Sequence, residues 1–480
     1  MYYRPRHPED GHMTDAQIRQ LLIDRVDIQR KSVGMVVGII TPDRRSVVSH
    51  GCMSQESQRP VDGDTAFEIA SVTKAFTSLV LADMVQRGEV ALDDPVSTYL
   101  PAGVTLPERN GRRITLVDLA THTSGVPPQP PDLQGLDDPA AAEYSLDRLY
   151  QSLATYRLIR DIGSEWEYSN VDMALLGHAL ARRAGTDYET LVRARITGPL
   201  GMTSTSTVVS PELAPRVAVS HDSDLKPTPR LSLGALGPAG AMLSSANDLL
   251  ALLGALLELT PSPLAPAVPV LLHTRRPIYP PIVKMLQRHW RLMLRAAVSR
   301  RNGRRAPARF FSRAEQALGW YILGRGGDEM VVHDGSGPSC AASVVFDRKA
   351  RAGVVVLSNA GIMVQDVARH LLWSQYPLGR VRTEVALDPA VLDRYVGDYT
   401  PLAGPGWNIL RDGDRLLVKV PYYAKLHLRP ENAENFFVPE LDFEFSFDRD
   451  AHDRVTQLVF RPGKGQPDMP ARKQAPTPST

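Results

Sequence analysis

A serine and a lysine stand three residues apart at the start of a predicted helix. They are Ser71 and Lys74 in FEIASVTKAFTS, and the apolar residues that follow recur at helical spacing. Residues three apart share a helix face. A serine needs an adjacent base to act as a nucleophile, and a lysine whose pKa is lowered by burial is such a base. The pair predicts an activated serine, although Ser-x-x-Lys alone also fits a helix cap with a surface lysine.

A second motif, EWEYSN, places Tyr168 and Asn170 directly before a strongly amphipathic helix that begins near Val171. A tyrosine oxygen near a nucleophilic serine can carry protons between the nucleophile and the leaving group. Asn170 can hydrogen-bond the lysine or a substrate amide. The motif therefore predicts a proton carrier and a positioning amide for the same site.

A third motif, VVHDGSG, lies at the end of a predicted strand and contains His333, Asp334, Gly335 and Ser336. A glycine there lets a substrate approach the backbone closely. The backbone N–H groups of Ser336 and Ser71 could then form an oxyanion hole, in which losing one donor typically costs about 10²–10³ in rate.

Taken in order, Ser-x-x-Lys, Tyr-x-Asn and His-x-Gly resemble the motifs of the penicillin-recognising serine hydrolases. The similarity is to class C β-lactamases, D-alanyl-D-alanine carboxypeptidases and their esterase and D-aminopeptidase relatives, since class A enzymes carry Ser-Asp-Asn and Lys-Thr-Gly instead. The stretches LVDLATHTSGVP, ITGPLGMTST and AGAMLSSANDLL agree with that branch. The resemblance covers about residues 31–373. The segment from Leu387 resembles the lipocalin-like β-domain that follows the hydrolase unit in some of these proteins.

This resemblance implies a role for each motif residue. Ser71 would form an acyl-enzyme, Lys74 and Tyr168 would share general base and acid duty, and Asn170 would position the lysine and the substrate. His333 would take the place of the third-motif cation. Ser71 and Ser336 would supply the oxyanion N–H groups, and neither a metal nor an organic cofactor would be needed.

Asp334 departs from the family pattern. It is expected to add a negative charge beside the substrate site, next to Gly335 and Ser336, which predicts poor recognition of a substrate carboxylate. His122, in THTSG, by contrast matches a family loop and is interpreted as a turn residue held by hydrogen bonds rather than as a catalytic group.

Strand patterns at both ends of the hydrolase region, with helices between them, indicate the architecture. GMVVGIITPDRRSVVSHG, LGWYILGRGGDEMVVHDGSG and AASVVFDRKARAGVVVLSN each predict a hairpin, and a last helix is expected over about Val364 to Trp373. The pattern predicts an α/β fold of the β-lactamase/transpeptidase-like type, with an antiparallel sheet flanked by helices and an all-helical region.

Four segments are expected along the chain. Residues 1–30 form an N-terminal extension and helix, and residues 31–380 form the serine hydrolase domain. Short alternating runs over residues 387–463 predict a small antiparallel barrel. The polar, Pro-rich residues 464–480 are predicted to be a disordered tail.

A basic insertion at about 275–313 contains twelve Lys or Arg residues and no Asp or Glu, whereas the rest of the chain is acidic. It includes an amphipathic helix with Trp290 opposite several arginines. The alternatives are a docked helix with a solvated basic side, a lid or docking surface for an acidic carrier protein, or a helix on a membrane surface. Nucleic-acid binding is not expected because the remainder of the chain is acidic.

Composition is that of a soluble globular protein, with 480 residues, 43% apolar and 22% charged. The N-terminus lacks the apolar stretch of a secretory signal, so a cytoplasmic location is expected.

The predicted function is a serine hydrolase that cleaves an ester or amide in a small-molecule or peptide-like acyl substrate. The alternatives are an acyltransferase or cyclising thioesterase that acts on a carrier-bound acyl group, and a non-catalytic binding protein.

Overall fold

The computed structural model describes residues 13–133, 139–278, 314–325, 328–379, 382, 384–401, 406–419, 425–438, 443–461 and 468–474. Within these ranges, none of the helices combines the length and the apolar character needed to cross a membrane.

The N-terminal part supplies one helix, a hairpin and the helix that begins beside Ser71. Helix α1 (Asp15–Ile23) starts at a capping box on Thr14, and β1 (Gly34–Ile40) and β2 (Arg45–Gly51) form the predicted hairpin. Strand β3 (Phe67–Glu68) leads through a 3₁₀ turn, Ala70–Val72, into α2 (Thr73–Gln86). Because every residue from Thr73 to Met84 is buried, α2 is the central helix of the domain.

A mainly helical region packs around α2. Its helices are α3 (Leu116–Ala120), α4 (Leu146–Thr155), α5 (Asn170–Arg183), α6 (Tyr188–Val192), α7 (Gly237–Gly240), α8 (Ala246–Leu256) and α9 (Ala267–His273). Two short ladders lie among them, β4 (Ser220–His221) with β5 (Pro227–Thr228) and β6 (Leu243–Ser244) with β3. Ser169 caps α5, the amphipathic helix that the sequence predicted, and Ser245 caps α8.

The main sheet is assembled from both ends of the domain. Its later strands are β7 (Arg276–Ile278), β8 (Ala314–Gln316), β9 (Tyr321–Arg325), β10 (Asp328–Ser336), β11 (Ala341–Asp347) and β12 (Ala352–Ser358). The strand order is β2-β1-β12-β11-β10-β9-β8-β7, with antiparallel pairing throughout. The predicted hairpins and the α/β architecture are therefore confirmed.

Helices cover both faces of this sheet. In β1, Val36 and Ile40 belong to the larger core that includes α2 and α8, whereas Met35 and Val37 belong to the core on the other face. That second core is completed by α1 and by α10 (Gln365–Leu372), the predicted closing helix. Because neighbouring strand residues point to opposite faces, β10 also contributes side chains alternately to the two layers.

The ends of the basic insertion are brought together by the pairing of β7 with β8. Arg275, at its start, pairs with Glu329 at 2.7 Å and with Glu315 at 3.4 Å. Most of the predicted insertion, residues 279–313, lies outside the described residues.

A closed antiparallel barrel follows a short helix, α11 (Pro389–Leu392). Its strands are β13 (Gly397–Pro401), β14 (Trp407–Asp412), β15 (Arg415–Lys419), β16 (Lys425–Pro430), β17 (Asn435–Val438), β18 (Phe443–Arg449), β19 (Val455–Arg461) and β20 (Met469–Lys473). The barrel confirms the predicted β-domain.

The predicted boundary at residue 463 is wrong, because β20 lies inside the segment expected to be a disordered tail. It pairs with β13 and β19 and so closes the barrel. Only Ala471 is buried in this strand, so its sequence shows little apolar alternation, and its conformation depends on its two neighbours. Residues 464–467 and 475–480 lie outside the described residues.

Candidate active site

A strained turn places Ser71 at the entrance to α2. Ala70, just before it, has a φ of 42°, in the left-handed region that non-glycine residues rarely adopt. The Thr73 hydroxyl donates to the Ala70 carbonyl at 2.7 Å and accepts from the Met242 N–H at 3.1 Å. The turn is therefore held by the residue before β6 as well as by its own helix.

Lys74 is fully buried behind this serine. Its Nζ lies 3.0 Å from Ser71 Oγ, 2.7 Å from Asn170 Oδ1 and 2.7 Å from the Ala239 carbonyl oxygen. Burial lowers the pKa of the Lys74 amine well below its usual value. A neutral amine can donate to the two oxygen acceptors and direct its lone pair at the Ser71 hydroxyl, as a general base requires.

Tyr168 completes the contacts of the serine. Its hydroxyl donates to Ser71 Oγ at 2.7 Å, and Lys74 Nζ lies 4.7 Å from the centre of its ring. The start of α5 holds this tyrosine in place, because the Ser169 hydroxyl donates to the Pro127 carbonyl at 2.8 Å. The structure thus brings Ser71, Lys74, Tyr168 and Asn170 together, although Ser71 and Tyr168 are far apart in sequence.

His122 packs against Tyr168 and the backbone of Ser169. Its Nδ1 lies 3.3 Å from the Ser169 backbone nitrogen, and its ring centre is 4.9 Å from that of Tyr168. It adopts a φ of 55° and is buried, and burial lowers the pKa of its imidazole well below the usual value. Its contacts are those of a turn residue beneath Tyr168.

His333 lies in the place of the third-motif cation, but burial favours its neutral form. Its side chain is 1% exposed, and burial, aided by the proximity of Lys74, lowers the pKa of His333 to about 3. Nδ1 lies 2.9 Å from the Asp334 carbonyl oxygen, which can only accept, so Nδ1 carries the proton. The ring lies against Trp320 and Tyr321, with centres 6.2 and 5.7 Å away.

Close packing within the protein requires a glycine at position 335. A Cβ atom at this position would lie 2.0 Å from the Ile69 carbonyl oxygen and 3.3 Å from the Ser71 backbone nitrogen. The close crossing of β10 over the Ser71 turn is thus a reason for this glycine that the sequence did not predict, and access for a substrate stays a prediction.

The end of β10 has a neighbour on one side only among the strands that the structure describes. The register of β9 with β10 ends at Val332, whereas the register with β11 continues to Ser336. The role of the Ser336 N–H as an oxyanion donor remains a prediction.

The Asp334 carboxylate is held in an ion pair within the protein, and poor recognition of a substrate carboxylate stays a prediction. The carboxylate accepts from the Ser343 hydroxyl at 2.6 Å and pairs with Arg369 of α10 at 2.5 Å. It lies on the sheet face that α10 covers, because residues 330, 332 and 334 alternate with the residues that face α2.

Sequence reasoning missed four contributors to the site. The Ala239 carbonyl is a backbone group with no residue-type signature, although it lies within the recognised stretch AGAMLSSANDLL. Trp320 and Tyr321 flank His333, but aromatic residues on a strand are common. Arg369 is separated from Asp334 in sequence, and only the packing of α10 on the sheet joins them.

Comparison with known proteins agrees with this geometry. The β-lactamase family profile matches residues 15–373. The D-alanyl-D-alanine-carboxypeptidase/endopeptidase AmpH of Escherichia coli is 35% identical over 190 residues, which are 40% of this chain and 49% of AmpH. The esterase EstB of Burkholderia gladioli is 34% identical over 163 residues, which are 32% of this chain and 41% of EstB. The chain thus matches about half or less of the length of these relatives.

Solved structures show the same fold. A class C β-lactamase from Rhodobacter sphaeroides has a TM-score of 0.54 at 27% identity, covering 71% of this chain and 93% of that one. A β-lactamase/D-alanine carboxypeptidase from Pseudomonas syringae has a TM-score of 0.57 at 20% identity, covering 72% and 94%, and supports the fold alone. With the profile match over most of the chain and the assembled serine, lysine and tyrosine, this protein belongs to the β-lactamase family.

Proposed function

We propose that this protein is a serine hydrolase that cleaves an ester or amide through an acyl-enzyme at Ser71. The observation that carries the proposal is the contact of Ser71 Oγ with both Lys74 Nζ, at 3.0 Å, and the Tyr168 hydroxyl, at 2.7 Å. A nucleophile, a base whose pKa burial lowers and a second proton carrier are therefore in contact before any substrate arrives.

In the first half of the reaction, Lys74 takes the proton of Ser71 as Oγ attacks the substrate carbonyl carbon. The new carbon–oxygen bond forms while the carbonyl π electrons move to the oxygen, where the N–H groups of Ser71 and Ser336 would stabilise the charge. As the intermediate collapses, the bond to the leaving group breaks and Tyr168 gives its hydroxyl proton to the leaving group. Lys74 then passes the proton that it took from Ser71 to the Tyr168 oxygen.

In the second half, a water molecule takes the position of the leaving group. It loses a proton to the tyrosine and lysine pair as its oxygen attacks the acyl carbon. The bond to Ser71 Oγ then breaks, and Oγ recovers its proton. The two halves use the same groups in opposite order, as microscopic reversibility demands.

The names of the relatives support hydrolysis, since they include a carboxypeptidase/endopeptidase and an esterase. A non-catalytic binding protein is the weaker alternative for a physical reason. Removing an amine such as Lys74 from water is costly, and its hydrogen bonds here go to neutral oxygens rather than to a carboxylate. Such an arrangement is expected where a base is needed.

The proposal is tested with a fluorophosphonate probe and a neutral aryl acetate. We expect one covalent adduct, mapped to Ser71, and hydrolysis of the acetate that is lost in Ser71→Ala. Labelling that persists at full rate in Ser71→Ala would overturn the assignment of the nucleophile. Hydrolysis that survives that substitution would overturn the proposed function.

A further inference from the structure

We propose that Glu68 is a positioning residue for the reaction at Ser71. Its buried carboxylate joins the strand that leads to the Ser71 turn to the segment that supplies the Ala239 carbonyl to Lys74, and so keeps the nucleophile and the base aligned. This inference rests on the proposed function, because it concerns how the same nucleophile and base are held.

The first observation is the pair of hydrogen bonds that the Glu68 carboxylate accepts. The Leu231 N–H donates to Oε1 at 2.8 Å, and the Ser220 hydroxyl donates to Oε2 at 2.6 Å. Glu68 and Ser220 are both buried, so losing the carboxylate would leave a buried donor without an acceptor, which is costly. The carboxylate therefore fixes the distance between β3 and two separate parts of the chain.

The second observation is the short path from Glu68 to the nucleophile. Glu68 is the last residue of β3, and the N–H of the next residue, Ile69, donates to the Met242 carbonyl at 3.0 Å. Only Ile69 and Ala70 separate Glu68 from Ser71. A left-handed residue such as Ala70 persists only where its surroundings hold it, so the position of the end of β3 decides the position of the nucleophile.

The third observation is the path from Leu231 to the base. The chain runs from Leu231 into α7, where the Ala239 carbonyl accepts from Lys74 Nζ at 2.7 Å. The end of α7 packs against the nucleophile turn, since a Cβ atom at Gly240 would lie 3.9 Å from the Ala70 carbonyl carbon. A carboxylate that contacts the chain before α7 and belongs to the strand before the turn therefore aligns both catalytic groups.

Removing the polar atoms of Glu68 should misplace these groups without removing any group that touches the substrate. Glu68→Met keeps the length of the side chain but leaves the Leu231 N–H without its acceptor. We expect kcat for a neutral aryl acetate to fall by about tenfold to a hundredfold and KM to stay within about threefold, since a misplacement of about 1 Å can cost 10²-fold in rate. The rate of fluorophosphonate labelling of Ser71 should fall with kcat.

Glu68→Gln is the conservative variant that should restore turnover. Its amide oxygen can accept from the Leu231 N–H, and its amide nitrogen can donate to the Ser220 oxygen, because a hydroxyl group also accepts. Both contacts are kept without the charge, so kcat should be close to that of the wild type.

Asp347 offers a matched control, because its buried carboxylate also accepts from two neutral donors. They are the Ala350 N–H at 3.0 Å and the Trp373 indole N–H at 3.1 Å. Asp347 lies at the end of β11 opposite to the end that pairs with Ser336. Asp347→Leu should therefore lower the urea midpoint, as Glu68→Met does, but leave kcat unchanged.

A folded Glu68→Met with the wild-type kcat and labelling rate would overturn the inference, and so would a Glu68→Gln variant as slow as Glu68→Met. If Glu68→Met does not fold, Ser220→Ala takes its place, because it removes one of the two contacts and should lower kcat by a smaller factor. Unchanged turnover in Ser220→Ala would then overturn the inference. Absence of turnover in the wild type would instead contradict the proposed function.

Discussion

At Lys74, burial decides what a single residue can do. An exposed lysine is a cation at neutral pH, but this amine is enclosed by α2, α5 and α7 and is within hydrogen-bond distance of three oxygen atoms. The free energy that its burial costs is the reason that it can act as a base beside Ser71.

Replacing Lys74 with arginine keeps a long basic side chain but removes the base, because a guanidinium stays protonated. We expect kcat for a neutral ester to fall by about 10²–10⁴, the usual contribution of general acid–base catalysis. Steady-state kinetics and the rate of fluorophosphonate labelling would measure the loss. Lys349→Arg, at a side chain that is 72% exposed, is the matched control. Turnover of Lys74→Arg within a few-fold of wild type would show that the lysine is only structural.

The neutral state of His333 predicts how stability depends on pH. Its pKa is about 3 in the folded protein and about 6.5 in the unfolded chain, so the unfolded chain binds more protons between these values. The free energy of unfolding should therefore fall as the pH drops below about 6.5, by up to about 1.4 kcal/mol per pH unit for this group.

Urea unfolding of the hydrolase domain at pH 6.5 and 4.5 checks this prediction. His333→Gln should lose less stability over that interval than the wild type. The control His452→Gln, at an exposed position in the barrel, should lose as much stability as the wild type. An identical loss in wild type and His333→Gln would contradict the assignment of a neutral, buried imidazole.

At the scale of elements, the crossing of β10 over the Ser71 turn is the contact that aligns the site. A Cβ atom at Gly335 would meet backbone at 2.0 Å, and a backbone cannot move aside as a flexible side chain can. The strand and the turn must separate if this position carries a larger residue.

Gly335→Ala should therefore move Ser336 away from Ser71 and lower kcat by about 10²–10³, the loss typical of one missing oxyanion donor, with the fold retained. Gly237→Ala is the matched control, because its Cβ would have a nearest neighbour at 3.8 Å. Kinetics and circular dichroism of both variants would measure the effect. If Gly335→Ala kept the same kcat as Gly237→Ala, the crossing of β10 over the Ser71 turn would not be the contact that aligns the site.

Local sequence patterns predicted most of the helices and strands, but they did not predict the contacts between residues far apart in the chain. The hairpins, α5 and the serine–lysine pair follow from spacing and capping residues that lie close together in sequence. The neutral state of His333 depends on burial by distant residues, and the Arg369 partner of Asp334 depends on how α10 packs. Strand β20 was missed because its apolar pattern is weak and its two neighbouring strands supply its order.

For the whole molecule, the question is how the barrel is joined to the hydrolase domain. The barrel interior is packed with aromatic and aliphatic side chains, including Tyr395, Tyr399, Phe436, Phe445 and Phe447. Outside the barrel, Asp224 in the loop between β4 and β5 pairs with Arg415 at 2.7 Å and with Arg429 at 3.0 Å. These arginines hold the pKa of the Asp224 carboxyl below its usual value, so this carboxylate is an anchor between the domains.

Asp224→Asn should loosen the barrel without unfolding either part, since a single partly exposed ion-pair site contributes about 1 kcal/mol or less per pair. We expect a larger radius of gyration in small-angle X-ray scattering and faster proteolysis between residues 374 and 388. Asp161→Asn, which removes a surface ion pair with Arg109 inside the hydrolase domain, should produce neither change. Scattering curves that coincide for wild type and Asp224→Asn would show that other contacts fix the barrel.

The most direct test of the central claim is intact mass spectrometry of the protein during hydrolysis of a neutral ester, with the reaction stopped by acid. We expect a species heavier by one acyl group, with the acyl group on the peptide that contains Ser71, and no such species in Ser71→Ala. Ester hydrolysis without this species under conditions that slow deacylation, or an acyl group on another residue, would contradict an acyl-enzyme at Ser71.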